Sequence, residues 1–255
     1  MELVLISLIA FVVSSVSGLL GLGGAIFLIP AYLYLPQLFG MPPLDVKSIS
    51  GITTVQVFAT ALLGTILHKR HGAVNKRLVL VMGIPIVIAS FLGAMLSGGI
   101  PASAILGVFA AMAIMGAAFM VTKREERAED EADLSYSAVG AAGVATGVGF
   151  FGGMVGAPGA FLLSPLMMSV LHIPTRITIG STLGIVLLSA LAASAGKIAT
   201  GLVPLHPAIA AILGSLPGVA LGSMFSHRLR ARTLRWALAV FIGAVGIQMG
   251  VRLIW

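Results

Sequence analysis

The sequence predicts an all-α, polytopic membrane protein made of two inverted repeats, each with about five hydrophobic segments and a glycine-broken or re-entrant helix. Of its 255 residues, 58% are hydrophobic and 9% are charged, whereas about a quarter of residues are charged in soluble domains. Lipid offers the backbone no hydrogen-bond partners, so apolar stretches that cross it are predicted to be helices. Cysteine is absent, which excludes disulfides and thiolate metal sites.

A decapeptide that occurs twice predicts the duplication. GLGGAIFLIP, which begins at Gly21, returns as GAPGAFLLSP at Gly156, 135 residues further on (156 − 21). A second match follows each copy, because KSISGIT from Lys47 aligns with RITIGST from Arg176. Transporters often carry a glycine-broken helix in each half and form the substrate site between them, near the membrane midplane.

Apolar runs separated by polar, glycine or proline residues define the segments of each repeat. The first repeat, residues 1–121, is predicted to contain segments 3–20, 24–39, 49–67, 78–97 and 101–121. Residues 122–135 form a charged hinge. The second repeat, residues 136–255, is predicted to contain segments 136–154, 158–171, 178–196, 206–226 and 231–253. The first segment resembles the apolar core of a signal peptide, but an acidic residue, Glu2, precedes it, so a membrane segment is predicted.

The second segment of each repeat is short. Segments 24–39 and 158–171 fall below the roughly 20 residues that a helix needs to cross a bilayer. Their length and the uncharged glycine turns before them favour at least partial re-entry into the membrane. Full crossing of the membrane by these segments remains an alternative, because crossing and re-entry leave the loops on the same sides.

The distribution of Lys and Arg predicts the orientation. If the chain starts outside and every segment spans, one face receives twelve of these residues and the other receives only Lys47, Lys197 and Arg252. Positive residues collect in cytoplasmic loops, so the hinge is predicted to be cytoplasmic and both termini periplasmic or extracellular. The odd number of segments per repeat then inverts the second repeat, and the net charge of +7 indicates orientation rather than nucleic-acid binding.

The acidic residues indicate the charge of the substrate. All eight Asp and Glu residues lie outside the predicted membrane interior: Glu2 at the start, Asp45 in a loop and the other six in the hinge. Cation and proton pathways usually depend on buried carboxylates, which disfavours cation transport. A helix that begins after a glycine turn instead presents free N–H groups and a positive dipole end, which bind anions. Pro158 removes one such donor from the second turn.

Two sets of residues are therefore predicted to contact the substrate, the glycine turns and a polar cluster of hydroxyl and amide side chains. They are Gly21, Gly23, Gly24, Ala25, Thr53, Thr54, Gln56, Gly156, Gly159, Ala160, Ser181 and Thr182. The alternatives are that the glycines are helix-packing contacts and that the hydroxyls bond their own backbone. The amide of Gln56 requires partners wherever it is buried.

His68 and Lys197 occupy equivalent positions in the two repeats. Either could be a gate or vestibule cation that attracts an anion. For Lys197 the alternative is an interfacial lysine whose ammonium reaches water while its stem lies in lipid. No histidine pair has the spacing of a metal site, so neither a metal nor another cofactor is expected.

The paired glycine motifs, the G-[ST]-T clusters, the basic loop and the charged hinge resemble the TauE/SafE sulfite exporter family over essentially the whole chain. The resemblance implies a bacterial or archaeal inner-membrane transporter that exports sulfite, sulfonates or related small anions. The second motif departs from the first at Ala157 and Pro158. The matching positions are Gly21, Gly23, Gly24, Gly51, Thr53, Gly156, Gly159, Gly180, Ser181 and Thr182.

The combined hypothesis is a secondary transporter that exports a small oxyanion, sulfite or an organosulfonate, by alternating access between two inverted halves. A passive anion channel and a non-transporting membrane scaffold are the alternatives. An enzyme is not expected, since no nucleophile, base and carboxylate occur together in the membrane segments. The expected partners are the oxyanion, membrane lipid and a second copy in a homodimer, without nucleic acid.

Overall fold

The computed structural model describes residues 2–20, 25–68, 75–121 and 136–226. In these ranges the chain forms helices and no strand, which confirms the all-α prediction. The helices are α1 Glu2–Leu20, α2 Ala25–Leu38, α3 Val46–His68, α4 Lys76–Leu96, α5 Ala102–Val121, α6 Ala138–Val155, α7 Ala160–Ser169, α8 Thr175–Ala199 and α9 Leu205–Ser226. A 3-10 turn, Ser97–Gly99, joins α4 to α5.

These nine helices occupy the first nine predicted segments, with small differences at their ends. Helix α3 begins three residues before its predicted start of 49, because Asp45 caps it: Oδ2 accepts hydrogen bonds from the backbone N–H groups of Lys47 and Ser48 at 3.1 and 3.2 Å. Lys47 and Ser48, which lie before the predicted segment, thus belong to the first turn of the helix. The tenth predicted segment, 231–253, and the hinge 122–135 lie outside the described residues.

Six of the helices are long and apolar enough to cross a membrane. These spans are Val46–Ile66, Lys76–Gly99, Ala102–Phe119, Ala138–Val155, Gly180–Ala199 and Leu205–Met224. Exposed side chains on α4 support this, since Leu80, Ile84 and Ile88 recur every four residues and form one apolar stripe. The chain is a multi-pass membrane protein. Helix α7, with 10 residues, measures about 15 Å, about half of the hydrocarbon thickness.

Helices α1 and α9 pack against each other through glycine. A Cβ added to Gly218 would lie 2.5 Å from the carbonyl oxygen of Phe11, and one added to Gly18 would lie 2.7 Å from that of Val219. Such distances are too short for any side chain, so the two backbones touch, as small residues allow in membrane proteins.

Helices α4 and α6 pack in the same way. A Cβ on Gly149 would lie 2.9 Å from the Ile86 carbonyl oxygen, and one on Gly153 would lie 2.8 Å from the Cα of Ser90. The contact positions advance in the same direction along both helices, so α4 and α6 run parallel. Each of the two tight pairs therefore joins the first helix of one predicted repeat to the fourth helix of the other.

Helices α3 and α8, which are equivalent in the predicted repeats, cross in opposite directions. Ser50 near the start of α3 bonds Lys197 near the end of α8. At the other end, a Cβ on Gly64 would lie 3.9 Å from a methyl group of Leu183. Inversion of the repeats requires this antiparallel relation. The inverted arrangement stays a prediction that these contacts support.

The glycine contact between α4 and α6 yields a test of the packing. Gly153→Ala is expected to lower the stability by about 1–3 kcal/mol, because the added methyl group forces the two backbones apart. The measurement is thermal unfolding of the purified protein in detergent. Gly147→Ala on the same helix is the control, since a Cβ there meets nothing within 4 Å. Equal melting temperatures of the two variants would refute this packing.

Candidate functional site

The second copy of the decapeptide forms a turn between two helices. Helix α6 ends just before Gly156, whose φ is 87°, and α7 begins after Gly159, whose φ is 76°. Both angles lie in the left-handed region that side chains disfavour. The backbone N–H groups of Gly156 and Ala157 both donate to the Gly152 carbonyl, at 3.0 and 2.9 Å. The turn thus closes the end of α6.

The hydrogen bonds within the turn change which backbone N–H groups can bind an anion. The N–H groups of Gly156 and Ala157 are engaged by Gly152, and the N–H of Gly159 donates to the Ala157 carbonyl. The first two N–H groups of α7, at Ala160 and Phe161, have no acceptor within the helix and are the donors that this turn can offer.

Close packing accounts for Gly156 in this conformation. A Cβ on Gly156 would lie 2.7 Å from Oγ of Ser50, and one on Gly159 would lie 2.7 Å from a methyl group of Val148. The space beside Gly156 is thus filled by α3 and is not open to an anion. Both glycines are required by the backbone geometry and by their neighbours.

Thr53 of the first repeat meets the glycine turn of the second. Its hydroxyl lies 2.9 Å from the Gly156 carbonyl, 2.9 Å from the Ile49 carbonyl and 3.2 Å from the Ser50 carbonyl, the last two in its own helix, and its single proton is shared among them. The Thr54 hydroxyl donates to the Ser50 carbonyl one turn earlier, at 2.6 Å. Of the two threonines, Thr53 therefore links the repeats, whereas Thr54 bonds its own helix.

Lys197 is the most unusual side chain at this site, because it is completely buried. Its ammonium donates to Oγ of Ser50 at 2.8 Å, to Oγ of Ser97 at 2.6 Å and to the Met154 carbonyl at 3.0 Å. All three protons of the ammonium have an acceptor. The interpretation of Lys197 as an interfacial lysine that reaches water is wrong for this conformation.

Three helix ends stabilise this buried charge. Lys197 lies in the last turn of α8, Met154 lies in the last turn of α6, and Ser97 caps the end of α4. The C-terminal end of each helix carries partial negative charge, which favours a cation. In the ranges that the structure describes, the acidic residues are Glu2 and the exposed Asp45, so no described carboxylate neutralises the ammonium.

A second lysine, Lys47, bonds the residue that follows Ser97 in the 3-10 turn Ser97–Gly99. The ammonium of Lys47, in the first turn of α3, donates to the Gly98 carbonyl at 2.7 Å. Lys197 bonds Ser97 and Lys47 bonds Gly98, so two ammonium groups bind consecutive residues. Unlike Lys197, Lys47 is only partly buried.

Gln56 lies deeper along α3, in a separate polar cluster. The Tyr32 hydroxyl donates to Oε1 of Gln56 at 3.0 Å, and Nε2 of Gln56 donates to Oγ of Ser14 at 3.4 Å. The three buried side chains join α1, α2 and α3. An amide nitrogen carries two protons, so Nε2 has one donor beyond its bond to Ser14 that meets no acceptor in the part of the chain that the structure describes. Tyr32 and Ser14 were missed by the sequence prediction, because neither belongs to a repeated motif.

Ser181 and Thr182 lie at the opposite end of α8. The Ser181 hydroxyl accepts a hydrogen bond from the backbone N–H of Asn75 at 3.2 Å, and the Thr182 hydroxyl lies 3.5 Å from Oγ of Ser164. Sixteen residues separate Ser181 from Lys197, which is about 24 Å along a helix. The prediction that these residues form one cluster with Thr53 is therefore wrong.

Several predicted positions cannot be compared with this geometry. Gly21, Gly23 and Gly24 lie outside the described residues, as do the side chains of His68 and Ala160. Ala25 is the buried first residue of α2. Among the residues that the structure describes, no group of three His, Asp or Glu side chains could hold a metal ion.

Comparison with known proteins assigns the family. The family model described as "Sulfite exporter TauE/SafE" matches residues 6–249, nearly the whole chain. The chain belongs to the TauE/SafE sulfite exporter family. No solved structure matches this chain at a comparable level of significance.

Curated proteins that are similar to this chain in sequence are named as membrane transporters. The chain is 25% identical to "Probable membrane transporter protein YdhB" of Bacillus subtilis, over 96% of this chain and 99% of the relative. It is 23% identical to "Probable membrane transporter protein YunE" of the same organism, over 98% and 97%. A "Probable membrane transporter protein" of Xylella fastidiosa is 27% identical, over 93% and 89%. Family and relatives together make this chain a membrane transporter.

The two threonines of α3 provide a matched test of the contact between the repeats. Thr53→Val removes the hydroxyl that reaches the Gly156 carbonyl and is expected to cost about 1 kcal/mol of stability. Thr54→Val removes only a bond within α3 and is expected to cost less. Denaturant or thermal unfolding of both variants measures the difference. A larger loss in Thr54→Val would contradict the assigned role of Thr53.

Proposed function

We propose that this transporter is a secondary transporter that exports a small oxyanion, with sulfite or an organosulfonate as substrate. The observation that carries the proposal is the buried ammonium of Lys197, which lies beside the glycine turn and bonds neither of the two described carboxylates, Glu2 and Asp45. A cationic substrate would be repelled there. An anion would supply the missing negative charge.

The groups around Lys197 suit an oxyanion with three oxygen atoms. The ammonium, the Ser50 hydroxyl and the Ser97 hydroxyl converge within hydrogen-bond distance. The Ser97 hydroxyl donates its proton to the Ala94 carbonyl at 2.6 Å, and the Ser50 hydroxyl donates to the Met154 carbonyl at 3.3 Å. Each hydroxyl can rotate its proton toward another acceptor, so the two serines and the lysine can together present donors to one small ligand. A hydrogen bond from the ammonium to an anion is stronger than the bonds to hydroxyl and carbonyl oxygens that it would replace, because both partners are charged.

The position of Lys197 suits alternating access. The Lys197 cluster lies near one end of α3 and α8, whereas Thr182, the repeat equivalent of Thr53, lies toward the opposite end. An anion held by Lys197 would thus lie close to one side of the membrane. The tight pairs α1 with α9 and α4 with α6 each contain one helix from each repeat, so we propose that these mixed pairs move, instead of the two halves as rigid units.

The membrane potential would drive export. With the hinge in the cytoplasm of a bacterial or archaeal cell, the Lys197 end faces the periplasm or the outside. Each negative charge that leaves a cell with a negative interior gains about 2.3 kcal/mol per 100 mV. The family description, which names a sulfite exporter, supports this direction.

Reconstituted flux tests the proposal. In liposomes, the wild-type protein is expected to show saturable sulfite transport and counterflow, and Lys197→Met is expected to lose both because its side chain keeps the shape without the charge. Lys76→Met, at an exposed lysine, is the control and should transport like the wild type.

Two outcomes would contradict the proposal. Undiminished sulfite flux in a folded Lys197→Met protein would remove the ammonium from the transport path. Wild-type flux that rises linearly with concentration and shows no counterflow would instead indicate a channel.

A further inference from the structure

The two glycines of the 3-10 turn Ser97–Gly99 pack loosely against the rest of the protein. A Cβ added to Gly99 would meet nothing within 4 Å, and one added to Gly98 would meet only a methyl group of Leu202 at 3.8 Å. The hydrogen bond that closes the turn, from the Ile100 N–H to the Ser97 carbonyl, is long at 3.3 Å. Packing therefore contributes little to the position of the two glycines. The buried Ser97 is also bonded to α4, because its backbone N–H donates to the Gly93 carbonyl and its hydroxyl donates to the Ala94 carbonyl at 2.6 Å.

Two ammonium groups hold this turn from different helices. Lys197 of α8 donates to the Ser97 hydroxyl at 2.6 Å, and Lys47 of α3 donates to the Gly98 carbonyl at 2.7 Å. Lys47 is partly exposed, Gly99 is exposed, and Ser97 and Lys197 are buried. The turn thus lies between an outer and an inner cation.

Both ammonium groups bond neutral acceptors in this conformation. An anion is a stronger acceptor for an ammonium than a carbonyl or hydroxyl oxygen. An anion that reaches Lys47 would compete with the Gly98 carbonyl, and one that reaches Lys197 would compete with the Ser97 hydroxyl. Each exchange would remove one of the bonds that hold the turn.

We propose that Lys47 and Lys197 are two successive binding sites for the transported anion, and that the turn Ser97–Gly99 between them is a gate that the anion itself releases. The proposal rests on the proposed function, because it requires an anionic substrate. It adds Lys47 as a binding residue and couples the opening of this end of the molecule to the presence of substrate.

The charges near the outer site are consistent with this role. The carboxylate of Asp45 accepts hydrogen bonds from the backbone N–H groups of Lys47 and Ser48 and so serves the start of α3. The Lys47 ammonium bonds the Gly98 carbonyl instead. A neutral acceptor on a partly exposed ammonium can be exchanged for an incoming anion at low cost.

The absence of cysteine from the chain permits a direct test of the gate. Ser97→Cys places a single thiol at the buried side of the turn, and its rate of reaction with N-ethylmaleimide reports how often the turn opens. Sodium isethionate, a small organosulfonate, is compared with sodium chloride at equal ionic strength. Isethionate is expected to accelerate labelling roughly tenfold, because an ammonium–sulfonate bond is stronger than the ammonium–carbonyl bond that it replaces.

Second-site variants assign the effect to the outer lysine. In Ser97→Cys with Lys47→Gln, isethionate should no longer accelerate labelling, whereas Ser97→Cys with Lys76→Gln should behave like Ser97→Cys alone. Gly99→Cys, on the exposed side, should react quickly in either salt. If Ser97→Cys fails to fold, Gly98→Cys serves as the reporter, because a Cβ fits there.

The result separates the gate from the proposed function. Equal labelling in both salts, or acceleration that survives Lys47→Gln, overturns the gate even if the wild-type protein transports sulfite. Isethionate-dependent labelling that Lys47→Gln abolishes supports the gate. If that labelling occurs in a protein without sulfite or sulfonate flux in liposomes, the gate stands and the transport proposal fails.

Discussion

The ammonium of Lys197 lies where the C-terminal ends of α4, α6 and α8 meet. A buried charge without a counterion is costly, and here the Ser50 hydroxyl, the Ser97 hydroxyl and the Met154 carbonyl offset the cost together with three helix dipoles. The same bonds fix the start of α3 against the end of α8. Removing the charge would therefore affect the packing of four helices as well as any ligand at the site.

The glycine contacts determine which helices can move relative to one another. Gly218 brings α9 onto α1, and Gly153 brings α6 onto α4, each at backbone contact. Pairs packed this closely move as units, because separating them would lose packing over their whole length. Helices α3 and α8 cross beside these pairs and carry Ser50 and Lys197. A motion of one pair relative to the other would thus change the surroundings of the ammonium.

Hydrophobicity and the repeated decapeptide were sufficient to predict nine helices and the break at Gly156, because these depend on local composition and backbone freedom. The contacts of Lys197 could not be predicted, since Ser97 and Met154 come from distant segments and share no motif with it. Grouping Thr53 with Thr182 was an avoidable error, because inverted repeats place equivalent residues at opposite ends. Small residues indicated close packing, but nothing in the sequence identified which helices would pair.

Equilibrium binding of radiolabelled sulfite to the purified protein tests the central claim, that Lys197 supplies the charge that an oxyanion needs. The account predicts saturable binding to the wild-type protein that competing sulfonates reduce. It also predicts that Lys197→Met loses this binding and that Thr54→Val, whose hydroxyl serves only its own helix, keeps it. A folded Lys197→Met protein that binds sulfite as tightly as the wild type would contradict the account.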